Sequence, residues 1–375
     1  MPHYREVVGL FPLELFMKIV FTADNHLRPY IWRSYKDICG DSYLAWQQLC
    51  EFVLNDVYSH AKGDTIFILG GDIFDSTTPS GKSENAFKSG LDILRGKVPV
   101  YFIPGNHDEE EIARPLLWDC IPLSENPIKI KDTVICGIPY TRNVELLQSK
   151  ISNIPPCDFL VMHSAFKHLL GFDDMWQVQE EDIPEYIGHV LVGDIHKKDI
   201  TGRIVSPGSL SVNNISEFTQ EHGVWVIDTD TKEFTYKPIY TRLFANHEVD
   251  SNSTATIGTI IHAGKDPKYR QELLPVINLN YTSKQSAIVD EIKASFAGQA
   301  FFIDNIKSVE AATKFKAATA TESFDVSKIY DAAFKQFLGS DPVSFNLVKD
   351  LINTETPQEV LATFIKQSIG GNNGN

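Results

Sequence analysis

The sequence is poor in cysteine and has no CxxC pair. Its five cysteines, Cys39, Cys50, Cys120, Cys136 and Cys157, are odd in number and widely spaced. That argues against a disulfide framework and against a zinc–thiolate site. Reduced thiols and a cytoplasmic location are the expectation. Long apolar runs are missing as well: none approaches the roughly 20 residues that span a bilayer, so no membrane segment is expected. Positive charge is short, with Lys+Arg 34 against Asp+Glu 49 and a formal net charge of −15. Such a balance repels polyanions at long range, so an anionic substrate must be met by metal ions, local basic residues or a partner. Internal repeats are absent. Hydrophobic residues at 43% and charged residues at 22% are ordinary globular usage, and 375 residues suit two or three domains.

In the first half, short apolar runs alternate with amphipathic stretches. The runs are Ile19 to Phe21, Ile66 to Leu69, Val98 to Ile103, Phe159 to Met162 and Val190 to Val192. They read as strands buried on both faces. Residues 43–60 and 83–95 place Leu44, Leu49, Val53 and Val57, then Phe87, Leu91 and Leu94, at helical spacing. Alternating strands and helices predict an α/β core. Residues 223–240 read as a hairpin, the polar stretch Asn246 to Thr256 as a linker, and residues 273–310 as strand, helix, strand. Residues 325–368 read as short helices, and the ending Gly-Gly-Asn-Asn-Gly-Asn as a flexible tail. Residues 1–16, interrupted by Pro12 and Glu14 and followed by no small-residue cleavage site, are expected to be a dispensable extension rather than a signal peptide.

Each buried run ends in potential metal ligands: Asp24-Asn25-His26, Gly71-Asp72-Ile73-Phe74-Asp75, Gly105-Asn106-His107-Asp108, His163, and Gly193-Asp194-Ile195-His196. Sites in α/β sheets form at the carboxyl ends of strands, so the five segments are expected to converge. Residues i and i+2 of an extended segment point the same way, which lets Asp24 with His26, and Asp194 with His196, grip a metal together. Oxygen and imidazole donors without thiolate favour manganese, iron or zinc. Asp72, with two oxygens, is the natural bridge between two cations. Such a pair polarises a phosphate and activates water for in-line attack.

The set as a whole resembles the calcineurin-like metallophosphoesterase superfamily. Within it, Gly71 to Asp75 and Ser206-Pro207-Gly208-Ser209-Leu210, with Glu217 and Gly223-Val224-Trp225-Val226 following, resemble the SbcD-type DNA repair nucleases of bacteria and phages. The resemblance implies a four-layer α–β–β–α domain over 17–240, a small α+β capping domain over 241–320, a helical partner-binding segment over 321–368 and a tail over 369–375. It implies one metal on Asp24, His26, Asp72 and His196, and another on Asp72, Asn106, His163 and Asp194. His107 would be the general acid, oriented by Asp108. Histidine is usual where Asp194 stands, so the second metal site departs from the pattern. Manganese is the expected ion, with magnesium or another divalent ion as alternatives. The implied activity is exonuclease and endonuclease cleavage of DNA in repair or recombination, with an SbcC-type coiled-coil ATPase as partner and room for a homodimer.

Two other readings stay open. One is a related phosphoesterase acting on nucleotides or phosphoproteins; Pro104, where protein phosphatases carry arginine, argues against the latter. The other is a DNA-end-binding scaffold with a degenerate site, which only Asp194 supports. Arg28, Arg33, Lys197, Lys198 and Arg203 lie near the motifs, as phosphate contacts or as ordinary surface. Asp75 reads as a helix cap or as support behind the ligands.

Overall fold

The structure is a computed structural model that describes residues 17–30, 41–61, 64–108, 120–167 and 178–307. The chain divides into two compact units, 1–307 and 308–375. The expectations for 1–16, 321–368 and 369–375 lie outside the described residues.

The apolar runs form two sheets. The first contains β1 (Lys18–Thr22), β2 (Thr65–Leu69), β3 (Val100–Phe102) and β4 (Ile121–Pro122), extended by β11 (Gly223–Asp228) and β12 (Phe234–Pro238), in the order β12-β11-β1-β2-β3-β4. The second contains β5 (Ile128–Ile130), β6 (Thr133–Ile138), β7 (Cys157–His163), β8 (Ile187–Gly193), β9 (Lys198–Thr201) and β10 (Ile204–Pro207), in the order β5-β6-β7-β8-β10-β9. β1–β2–β3 and β6–β7–β8 pair in parallel, so their carboxyl ends share one edge within each sheet.

Period-2 alternation splits each buried strand between two cores. Ile19, Phe21, Ile66, Ile68 and Ile103 face the other sheet, where they meet Ile135, Phe159, Val161, Leu191 and Val205. Val20, Phe67, Leu69 and Phe102 face outward onto α1 (Asp41–Phe52) and α2 (Gly81–Leu94). On the far side, Ile138, Leu160, Met162 and Val192 pack on Leu147 and Ile151 of α3 (Val144–Asn153). The result is the expected four-layer sandwich. Trp46 fills the α1–α2 interface, stacked on Phe67 at 5.8 Å and Phe87 at 5.2 Å between ring centroids. α1 continues into a wider π-helical stretch, Val53–Tyr58.

A third, parallel sheet follows: β13 (Phe244–Glu248), β14 (Val276–Tyr281) and β15 (Phe301–Ile306). α4 (Ser253–Ala263) and α5 (Ser286–Ser295) join it in one apolar cluster. The linker expected over Asn246 to Thr256 is therefore a strand end and a helix start. Its polarity is real, because β13 alternates half-buried and exposed residues and presents Asn246 and Glu248 to solvent. A second cluster ties Val276 and Ile303 to Val212 and Phe218 of the sandwich. A buried ion pair, Arg242 Nη2 to Asp41 Oδ1 at 2.6 Å, pins the start of α1 to the segment leading into β13.

Candidate metal centre

The loops that leave β1, β2, β3 and β8 and the last residue of β7, His163, carry the predicted ligands, and backbone bonds stitch the loops together. Asp24 N donates to the Gly71 carbonyl and His26 N to the Asp72 carbonyl, each at 3.0 Å. Six non-glycine residues have positive φ among the described residues, and four are predicted ligands: Asp24 (51°), His26 (42°), Asp72 (50°) and Asp194 (85°). Left-handed backbone at such residues costs about 1–3 kcal/mol each and persists where the surroundings over-determine it. Gly105 is required by close approach, since a Cβ there would overlap Asp72 Oδ1 and N.

All seven predicted ligands come together. Asp72 lies between two imidazoles, with Oδ2 3.7 Å from His26 Nε2 and Oδ1 3.5 Å from His163 Nε2. Asp24, His26 and His196 bring ligand atoms within 4.8 Å of one another, and so do Asp24, Asp72 and His163. Asp24 thus takes part in both groups, where the expectation gave the shared position to Asp72 alone. The Asp194 carboxylate stands 3.9 Å from His163 Nε2, while its backbone N–H donates to both oxygens of Asp24 at 3.1 Å.

The donor chemistry fits divalent cations. His163 Nδ1–H donates to the Gly70 carbonyl at 2.8 Å, and His196 Nδ1–H to Glu217 Oε1 at 2.8 Å. Those bonds place one proton on each Nδ1, so each Nε2 aimed into the site is the atom that takes a cation or, in its place, a second proton. His196 Nε2 then meets His26 Nε2 at 3.0 Å, and His163 Nε2 meets Asn106 Oδ1 at 3.0 Å. Lone pairs facing at that distance repel unless a proton or a cation lies between them. Without a cation the Asn106 amide is better satisfied turned around, its nitrogen donating to Asp72 Oδ2 at 3.1 Å; a cation demands the oxygen.

The electrostatics agree. Burial, with Asp72 and Asp194 nearby, pushes the Asp24 carboxyl up to about 7, against the pull of His163 and His196. Burial also raises Asp194. For His196 burial acts downward, but the Glu217 hydrogen bond and the Asp24 charge raise it to about 9. His163 is raised by Asp72, Asp24 and Asp194 although burial opposes them. His26 is driven well below its usual value by burial and by His196 and His107. Protons gather where the carboxylates crowd, as expected of a site built for positive charge.

His107 differs from the ligands in being open to the cleft, with its side chain 40% exposed and Nε2 3.9 Å from Asp72 Oδ2. Its Nδ1–H donates to the Asp75 carbonyl at 3.0 Å, which leaves Nε2 to face a substrate. Asp108 does not orient this ring, contrary to expectation. Its carboxylate accepts the backbone N–H groups of Ile73, Phe74 and Gly105 at 3.1–3.2 Å, because three converging amides outcompete a partly solvated imidazole.

Residues 17–224 match the calcineurin-like phosphoesterase family. The chain belongs to that family. Among curated proteins it is similar to the DNA double-strand break repair protein Mre11 of Sulfurisphaera tokodaii, 26% identical over 213 residues, covering 50% of this chain and 54% of that protein. Mre11 of Saccharolobus solfataricus is 28% identical over 202 residues, covering 48% and 50%. The SbcD component of the nuclease SbcCD from Bacillus subtilis is 35% identical over 97 residues, covering 25% and 23%. The chain spans about half the length, or less, of the curated relatives it matches.

In this phosphoesterase the residue missing from the predicted site is Glu217. It is buried, and besides holding His196 it accepts Asn213 N at 2.7 Å. Its sequence signal was its place in the Ser206-to-Val226 stretch that resembles the SbcD-type nucleases, where no role in the site was assigned to it. Arg203 is not a phosphate contact: its guanidinium donates to the carbonyls of Ile183, Pro184 and Ile187. Lys198 pairs with Glu221 at 2.5 Å. Arg33 lies outside the described residues.

Proposed function

We propose that this phosphoesterase is a DNA nuclease that hydrolyses phosphodiester bonds with two divalent ions, manganese foremost, and that it works with an SbcC-type coiled-coil ATPase held by residues 321–368. The observation that carries the metal reading is the Asp72 carboxylate, which offers one oxygen toward His26 and the other toward His163. The Mre11 and SbcCD relatives support DNA as the substrate. Asp24, His26, Asp72 and His196 would hold one ion, and Asp72, Asn106, His163 and Asp194 the other. Bound ions would supply Lewis acidity toward the phosphate and the attacking water.

The chain's own groups do the rest. His107 stands at the open side with Nε2 toward the cleft; as the imidazolium, its Nδ1–H held by the Asp75 carbonyl, it gives the Nε2 proton to the departing sugar oxygen and is left neutral. General acids of this kind contribute about 100- to 10,000-fold. His107→Ala therefore loses rate and keeps metal. Asp108 holds the β2 and β3 loops in register, so that the Asp72 and Asn106 positions stay fixed to one another. The deciding experiment offers purified protein with manganese a linear DNA duplex, a single strand, a nucleotide and a phosphopeptide. DNA cleavage abolished by chelator is the expected result. Turnover of the nucleotide or phosphopeptide alone would move the reading to another phosphoesterase, and DNA binding without turnover to a scaffold.

A further inference from the structure

Arg28 follows the Asp24–His26 motif directly, and its guanidinium faces protein groups rather than the open cleft. Nη1 donates to Asp75 Oδ1 at 2.8 Å, and Nη2 to both the carbonyl and the Oδ1 of Asn213 at 3.0 Å. Its backbone is held as well: Arg28 N donates to Ser42 Oγ at 3.1 Å, and the Ser42 hydroxyl donates back to the Arg28 carbonyl at 3.0 Å. Both partners of the guanidinium lie behind imidazoles of the site. The Asp75 carbonyl accepts His107 Nδ1–H at 3.0 Å, and Asp75 Oδ1 is 3.7 Å from His26 Nδ1, which is buried without a hydrogen bond. On the other side, Asn213 N donates to Glu217 Oε2 at 2.7 Å, and Glu217 Oε1 accepts from His196.

We infer that Arg28 is a positioning residue that locks the Asp75 and Asn213 loops together and so fixes the rings of His26, His107 and His196. The planar guanidinium fork suits this role. One nitrogen serves a carboxylate while the other chelates two oxygens of one residue, a geometry that an ammonium cannot copy. A phosphate contact is the competing role, and it predicts a different kinetic signature. The inference rests on the phosphoesterase reading for its rate consequence but not for its structural one.

The test uses the full chain with Arg28→Met, Arg28→Lys, Asp75→Asn and the Arg28→Met/Asp75→Asn double variant. With manganese and DNA, Arg28→Met is expected to lower kcat about 100-fold, since misplacing catalytic groups by about 1 Å costs that much, and to leave KM within about twofold. Arg28→Lys should recover part of the loss. The double variant should fall little below the worse single one, because groups that act as a unit are not additive. In chelator, a long-range nitrogen–proton NMR spectrum of the histidines should show the His107 ring losing its single tautomer in Arg28→Met, while the signals of His247, whose Nε2 meets Ser253 Oγ at 2.7 Å away from this network, stay in place. Unchanged kcat with raised KM for DNA would make Arg28 a phosphate contact. Additive losses, or an unaltered His107 tautomer, would also overturn the inference. If the wild type cleaves no phosphodiester, the functional reading fails, and the tautomer measurement still decides the role of Arg28.

Discussion

At the residue scale, Glu217 and Asp194 bear the most informative predictions. Glu217 fixes the His196 tautomer through Nδ1–H. Partners behind metal-bound histidines are worth about 10- to 100-fold in metal affinity. Glu217→Gln is therefore expected to weaken metal binding by about that factor in a calorimetric titration while the fold is kept; unaltered affinity would remove Glu217 from the site. Asp194 faces His163 at 3.9 Å. Asp194→Ala should weaken the second ion, and Asp194→His should keep or raise activity with manganese. Equal stoichiometry and affinity in Asp194→Ala would mean that a water completes that shell. The ligand residues were legible in the sequence because polar groups break off each buried run. The extended i and i+2 spacing expected of them does not hold: Asp24, His26 and Asp194 have left-handed rather than extended backbone, and Asp194 faces His163 while His196 faces His26. The Asp75 carbonyl beneath His107 and the amide cradle of Asp108 were not legible, because backbone partners carry no residue-type signal.

At the scale of elements, strands buried on both faces announced themselves as unbroken apolar runs: β1, β2, β7 and β8 lie where the runs placed them. β9 escaped notice because its residues are half-buried or exposed, and β13 because its polar face resembles a loop. Helix α4, rich in threonine and isoleucine, hides in a segment whose first residues are polar. The Arg242–Asp41 pair carries a prediction at this scale. Burial raises the Asp41 carboxyl against the pull of Arg242, so Arg242→Met strands a buried charge. Loss of one partner of a buried pair costs about 3–5 kcal/mol. Chemical denaturation should register that loss, and Arg242→Met/Asp41→Asn should recover much of it. A loss of less than about 1 kcal/mol in the single variant would show that the pair is solvated.

At the scale of the whole molecule, the site couples stability to pH and metal. Folding raises Asp24 to about 7 and His196 to about 9, so the folded, metal-free protein binds both protons more tightly than the unfolded chain. That stabilisation is complete below the unfolded values and is lost as pH rises through the folded ones. In chelator, the Tm is expected to fall as pH climbs, through Asp24 from 3.8 to about 7 and through His196 from 6.5 to about 9, while bound manganese replaces the protons and removes the decline. A metal effect on Tm that does not grow over these intervals would contradict the account.

The central claim is a pair of ions sharing Asp72. It is tested most directly by counting metal ions from anomalous scattering and measuring DNA cleavage on the same preparation, for the wild type and for Asp72→Asn. The account predicts two ions and chelator-sensitive cleavage in the wild type, and a folded Asp72→Asn that has lost cleavage. Cleavage by the wild type in excess chelator, or full activity in Asp72→Asn, would contradict it.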